Sequence, residues 1–269
     1  MDWLQAIVLG LLQGLTEFLP VSSSGHLAIG KELLGVEASD DLMFEITVHV
    51  ATVLATVVVF RKQIWALLKG FFKFRNNDET DYVLKMLVSL IPIFVVGMFF
   101  KDQVEALFSS LYVVGGALLV TSVLLYFSDR KSDATSVAGK EHRNGLSYLQ
   151  AFVIGIGQAV AVIPGLSRSG TTISTGLIAG VKREVVAQFS FLMVIIPILG
   201  EAFLSVVGGD LAQSSVGLLP LALGFCSAFV SGLFACKAMI ALVKKAKLKW
   251  FALYCLVVGL AVIVCKALI

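Results

Sequence analysis

Long apolar runs separated by short polar breaks dominate the chain. Three runs hold no charged residue, at 106–128, 144–167 and 211–236. Each exceeds the roughly 20 apolar residues that a helix needs to cross a bilayer. Shorter runs at 46–60, 86–100, 185–200 and 250–265 reach spanning length when residues at their ends snorkel to the interface. Two apolar stretches are broken in their interior. One, EFLPVSSSGHLAIG (17–30), holds a Glu, a Pro, three consecutive serines and a His; the other, AVIPGLSRSGTTIS (161–174), holds a Pro, an Arg and several hydroxyls. Pro before Ser and Gly ends one helix, and Ser caps the next. Each break therefore predicts two short helices that enter the membrane and turn back.

The two breaks are copies of each other. At a constant offset of 145, eight of 21 positions in 5–25 and 150–170 are identical. Gln5, Ala6, Val8, Gly10, Gln13, Ser22, Ser24 and Gly25 match Gln150, Ala151, Val153, Gly155, Gln158, Ser167, Ser169 and Gly170. This is the mark of an internal duplication. Three candidate spans follow each copy, at 46–60, 82–100 and 106–127, then at 185–207, 215–236 and 250–268. A pair that dips in and returns crosses the membrane zero times, and three spans cross it an odd number of times. The second copy must then start on the opposite side. The expected fold is an all-α polytopic membrane protein with an inverted repeat, each half a broken re-entrant helix pair plus three transmembrane helices. It forms one membrane domain, with repeat one at 1–128, a cytoplasmic connector at 129–145 and repeat two at 146–269.

Loop charge orients this arrangement. Loop 61–75 carries Arg61, Lys62, Lys69, Lys73 and Arg75 without an acid, and loop 237–249 carries Lys237, Lys244, Lys245, Lys247 and Lys249 without an acid. Loop 128–145 is mixed but has Arg130, Lys131, Lys140 and Arg143. The fold puts all three on one side, which the positive-inside rule makes cytoplasmic. Glu37, Asp40, Asp41, Asp102, Glu105 and Asp210 lie opposite, with Lys101 as the only base. Both termini and the opening of any site then face the extracytoplasmic side.

Composition agrees: 58% of residues are hydrophobic and 14% charged, against about 25% charged in a soluble domain. A net charge of +3 without a basic patch argues against a nucleic-acid partner. The N-terminal run lacks a basic n-region and reads as a mature helix, not a signal peptide. Cys226, Cys236, Cys255 and Cys265 have no CxxC spacing and read as free thiols within the membrane.

Candidate chemistry lies in the two breaks. Irregular backbone at membrane depth is tolerated where it is buried in protein or lines a wet cavity, so two such loops predict one polar pocket. Copy one supplies Glu17, Ser23 and His26, where copy two has Val162, Arg168 and Thr171. An Arg at this depth costs about 2.5–3.5 kcal/mol on insertion scales. Flanked by hydroxyls at a helix start, Arg168 suits an anion such as phosphate; the alternative is structural pairing with Glu17. Gln13 and Glu17, four residues apart, share a helix face and suggest a divalent cation beside the anion. His26 reads as base, as second nucleophile or as cap. Glu45 and His49 either rim the pocket or mark the interface. Ser22 and Ser24 beside Ser23, with Ser167, Ser169, Gly170, Thr171 and Thr172 around Arg168, are candidate substrate-binding residues.

QGLTEFLPVSSSGH (13–26) and PGLSRSGTTIS (164–174) resemble the two signatures of the undecaprenyl-diphosphate phosphatase (BacA/UppP, bacitracin-resistance) family. The first is an [E/Q]xxxE element running into PVSS[ST]GH, and the second is PGxSRSxxT. The resemblance covers nearly the whole chain. It implies a bacterial inner-membrane hydrolase that removes the terminal phosphate of a polyprenyl diphosphate and recycles the carrier for cell-wall sugars. It also implies that Gln13 and Glu17 hold Mg²⁺ or Ca²⁺, that Ser23 and His26 belong to the catalytic loop, and that Ser167, Arg168, Ser169 and Thr172 bind phosphate. Gln13 takes a position where the family permits Glu or Gln, so this motif supplies one carboxylate rather than two. Partners are then the polyprenyl diphosphate and membrane lipids, with a homodimer compatible with the sequence. The chain is unlike PAP2-type phosphatases, which need a His where Ser174 stands. Two mechanisms stay open: attack by Ser23 with His26 taking its proton, or direct attack by His26 to give a phosphohistidine. Transport of a lipid phosphate or anion through the same midplane site is the alternative function.

Overall fold

The computed structural model describes residues 1–36, 41–108, 110–134, 142–208, 216–245 and 247–268. Among the described residues the chain forms thirteen α-helices. The first half contains α1 (Trp3–Phe18), α2 (Ser23–Leu34), α3 (Asp41–Val59), α4 (Arg61–Phe71), α5 (Asp78–Phe99), α6 (Lys101–Leu107) and α7 (Leu111–Ala134). The second contains α8 (Tyr148–Val160), α9 (Arg168–Ile178), α10 (Arg183–Met193), α11 (Ile195–Gly208), α12 (Leu218–Lys245) and α13 (Lys249–Leu268). Five segments are long and apolar enough to cross a membrane: α5, α7, the α10–α11 pair, α12 and α13. A sixth arises if α3 and α4 count as one span. This is a multi-pass α-helical membrane protein.

Local sequence explains the breaks. Asp2 caps α1 in a capping box with Gln5, and Ser147 caps α8 in the same box with Gln150. After Phe18 the chain is extended at Leu19, passes Pro20, and restarts a helix at Ser23 under a Ser22 cap. After Val160 it passes Pro164 and Gly165 and restarts at Arg168 under a Ser167 cap. The Nε2 of Gln5 donates to the carbonyl of Leu34 at 3.0 Å, and that of Gln150 to the carbonyl of Ala179 at 3.0 Å. These bonds close each broken pair into a hairpin at the same offset of 145.

Packing joins the halves. Helix α1 lies on α12, α8 lies on α5, α7 lies on α13, and α3 packs against α12 and α11. Small residues permit these close crossings. A Cβ on Gly10 would stand 2.1 Å from Ser227 Oγ and 2.4 Å from the Gly224 carbonyl oxygen. One on Gly155 would stand 2.2 Å from the Ser89 carbonyl oxygen. Apolar residues elsewhere point outward, among them Phe94, Phe99, Phe203, Phe234 and Leu268. Lipid in place of water makes that arrangement favourable.

Two expectations change. Segment 61–75 is mostly helix rather than loop: α4 leaves α3 at 79° and carries Arg61, Lys62 and Lys69. Segment 101–107, between two expected spans, is the short helix α6. Of the residues in the loop-charge expectation, Glu37, Asp40, Lys140 and Asp210 lie outside the described residues, as does 135–141 of the connector. The four cysteines are free, with Cys236 and Cys255 buried.

Candidate active site

Glu17 is the last but one residue of α1, where the helix stops short of Pro20. Its carboxylate is 9% exposed, and groups from four helices surround it. Gln13 Nε2, one turn earlier, donates to Oε2 at 2.7 Å, and Ser23 Oγ, at the start of α2, donates to the same oxygen at 2.5 Å. Arg168 Nη2, at the start of α9, donates to Oε1 at 3.3 Å. His49 Nε2, on α3, lies 3.8 Å from Oε2. A buried carboxylate persists only with such compensation. The two breaks thus meet across 151 residues of chain.

The loops also brace each other. Ser169 Oγ donates to the Leu19 carbonyl at 3.0 Å, reaching from the second break to the first. Ser22 Oγ accepts from Gly25 N and Ser167 Oγ from Gly170 N, each at 3.1 Å. Ser24 touches Ser22 at 3.3 Å, and Ser169 touches Ser167 at 3.4 Å. The two caps differ in one respect. Ser167 has an ordinary φ of −66°, whereas Ser22 has φ 70° and ψ 97°. A left-handed non-glycine residue costs about 1–3 kcal/mol and persists where its surroundings hold it.

A cleft opens beside Glu17. Arg168, Ser169, Thr172, Thr52, Thr56 and Ser190 give it polar lining; Phe18, Val53, Phe191 and Val194 give it apolar lining. Glu17, Arg168, Ser169 and Thr172 therefore share one space. Ser23 enters through its bond to Glu17. Ser22, Ser24, Ser167 and Gly170 shape the breaks behind it. Thr171 is buried, and its hydroxyl has no partner among the described residues. His26 lies with its Nδ1 on the Ser22 carbonyl and its Nε2 on the Tyr254 hydroxyl, each at 2.7 Å. Ser23 is therefore joined to Glu17, not to His26. Of the pair Glu45 and His49, only His49 reaches the carboxylate; Glu45 forms an ion pair with Lys31.

Sequence reasoning missed Thr52, Thr56, Ser190 and Tyr254. The threonines had a signal: with His49 they form a polar stripe at helical spacing along an otherwise apolar α3. Ser190 and Tyr254 stand alone in apolar runs and gave none.

A divalent cation can be tested against the donors present. Among the described residues no group of three or more His, Cys, Asp and Glu side chains could hold a metal ion. Gln13 is fully buried, and its Oε1 has no hydrogen-bond partner among the described residues. This oxygen is a hard donor on the side chain whose Nε2 bonds the Glu17 carboxylate. The pair fits a cation that takes one carboxylate and one amide oxygen from protein and completes its shell with phosphate and water.

Fold and site define a class: a multi-pass α-helical membrane protein that gathers a carboxylate, a hydroxyl and a guanidinium from two broken helix pairs. The chain belongs to the bacitracin resistance protein BacA family, whose model matches residues 6–261. It is similar to the undecaprenyl-diphosphatase of Bacteroides fragilis, 52% identical over 272 residues and covering 100% of both chains. That of Parabacteroides distasonis is 53% identical over 272 residues, again covering 100% of both. That of Methanobrevibacter smithii is 38% identical over 276 residues, covering 97% of each.

Proposed function

We infer that the protein hydrolyses undecaprenyl diphosphate to undecaprenyl phosphate and inorganic phosphate, the activity for which its relatives are named. One observation carries the mechanism: Ser23 Oγ donates to Glu17 Oε2 at 2.5 Å while Arg168 holds the other oxygen. Glu17 takes the hydroxyl proton as Ser23 Oγ attacks the terminal phosphorus. The O–P bond to the serine forms, the bridging P–O bond breaks, and the lipid monophosphate leaves. Water then hydrolyses the phosphoserine. Arg168 turns its fork to the transferred phosphoryl group and balances its charge. Glu17 and Gln13 Oε1 would hold Mg²⁺ or Ca²⁺, which would supply neutralisation of phosphate charge. The apolar side of the cleft, with Phe18 and Phe191, suits the first units of the prenyl chain. The names of the relatives give the transport reading no support.

The loop charges favour insertion in the inner membrane, with the halves inverted and with both termini and the cleft on the extracytoplasmic side. Self-association into a homodimer is tested by light scattering in detergent. The activity is tested by phosphate release from undecaprenyl diphosphate with purified protein, wild type against Ser23→Ala. Ser23→Ala should abolish turnover, and quenching the wild type with terminally labelled lipid should trap an acid-stable adduct. An acid-labile adduct that persists in Ser23→Ala would remove Ser23 from its role.

A further inference from the structure

His26 is held at both ring nitrogens. Nδ1 stands 2.7 Å from the Ser22 carbonyl oxygen, and Nε2 stands 2.7 Å from the hydroxyl of Tyr254, on α13 of the other half. A carbonyl only accepts, so Nδ1 carries a hydrogen. In the neutral ring Nε2 is then the lone-pair nitrogen, and Tyr254 donates to it. The two ring planes are within 8° of parallel, with centroids 5.6 Å apart. The nitrogen that would take a proton or attack phosphorus is thereby engaged, and the hydroxyl of Ser23 goes to Glu17.

What the imidazole grips is the one non-glycine residue with positive φ in the two breaks, among the described residues; Gly165 in the second break is a glycine with φ 90°. Ser22 immediately precedes Ser23, and its carbonyl accepts from both the backbone N–H of His26 at 3.2 Å and Nδ1–H. The second copy is an internal control. There the capping Ser167 has an ordinary backbone, and the position equivalent to His26 is Thr171. An imidazole stands where a cap is left-handed, and a threonine stands where the cap is relaxed.

We propose that His26 is a positioning residue whose Nδ1–H pins the left-handed Ser22 and so aims Ser23 at Glu17, and that Tyr254 steadies the ring by donating to Nε2. This rests on Ser23 being the phosphoryl acceptor. The test is a comparison of three variants. Asn at position 26 carries an N–H near the place of Nδ1 and cannot take a proton; Gln and Ala do not replace that donor. His26→Asn should keep more than about a tenth of wild-type turnover while His26→Gln and His26→Ala fall about 10²–10⁴-fold, the loss normally caused by removing a base. If His26→Asn is as inactive as His26→Ala while remaining monodisperse and as heat-stable as wild type, the ring is chemical rather than positional and the proposal fails.

Nitrogen-15 spectra of the His26 ring at alkaline pH supply a readout independent of turnover. Wild type should show the Nδ1–H form. Tyr254→Phe should keep the Nδ1–H form, which the Ser22 carbonyl sets, with kcat lowered several-fold and KM unchanged. A wild-type ring protonated on Nε2 overturns the proposal. Persistent activity in Ser23→Ala instead strikes the underlying reading, which these ring measurements leave separate.

Discussion

At the scale of single residues, the two oxygens of Glu17 have different neighbours. Oε1 faces Arg168, while Oε2 faces Ser23 and Gln13. Arg168 is paired with Glu17, so on the proposed mechanism a phosphate competes with a buried carboxylate for the guanidinium. The planar fork decides that competition, since it offers parallel bonds to two phosphate oxygens while an ammonium offers a point charge. Arg168→Lys should therefore lower kcat/KM by roughly 10–100-fold, the worth of one lost hydrogen bond between charged groups. Steady-state phosphate release checks it, and near-wild-type values would leave Arg168 as structural pairing for Glu17. Gln13 predicts a different signature. Its Oε1 is buried and has no hydrogen-bond partner among the described residues, so on the proposed cation site Gln13→Leu should raise the Mg²⁺ or Ca²⁺ concentration needed for half-maximal activity, and Gln13→Glu should lower it. Removing the metal with a chelator should stop turnover in all three proteins. A metal titration unchanged by Gln13→Leu would place the cation elsewhere.

At the scale of elements, legibility in the sequence followed local chemistry. Both helix breaks were readable because Pro20 and Pro164 remove a backbone donor and the following serines offer caps. The meeting of Glu17, Ser23 and Arg168 was readable through the duplication, since symmetry-related breaks must converge. The 79° turn from α3 to α4 was not readable. The junction residue is Phe60, with neither Pro nor Gly beside it, so packing rather than propensity sets the bend. Tyr254 was equally silent, because the partner that gives it meaning lies 228 residues away. Helix crossings make a prediction of their own. On Gly155 a side chain would drive into the Ser89 carbonyl, backbone that cannot rotate away. Gly155→Leu should cost about 1–3 kcal/mol or more through overpacking of α8 on α5. Gly200, inside α11, has nothing within 4 Å of its Cβ position, so Gly200→Ala should be neutral or stabilise by about 0.5–1 kcal/mol. Thermal melting in detergent separates the two, and equal effects would contradict the packing.

For the whole molecule, the question is how two copies of one hairpin come to face each other. Helix α1 packs on α12 and its counterpart α8 on α5, so each broken pair is supported by a span of the other half. Residues 78–99, shifted by 145, fall within α12, so the two contacts exchange under the offset that relates the copies. This exchange holds for parallel and inverted copies alike, so the proposed inversion is carried by the basic segments. The stretch 61–75 has five basic residues and no acid, and 237–249 has five and no acid. On the expected spans one lies a single crossing into its half and the other two, so the proposed inversion is what would put both on one side, cytoplasmic by the positive-inside rule. Cysteines placed at Lys73 and Lys247, after replacement of the exposed Cys226 and Cys265, should react in intact cells with permeant maleimides and resist impermeant ones. A cysteine at Asp102, on the opposite side, should show the reverse. Reaction of Lys73→Cys with the impermeant reagent, while Lys247→Cys stays protected, would put the halves in parallel and end the inverted arrangement.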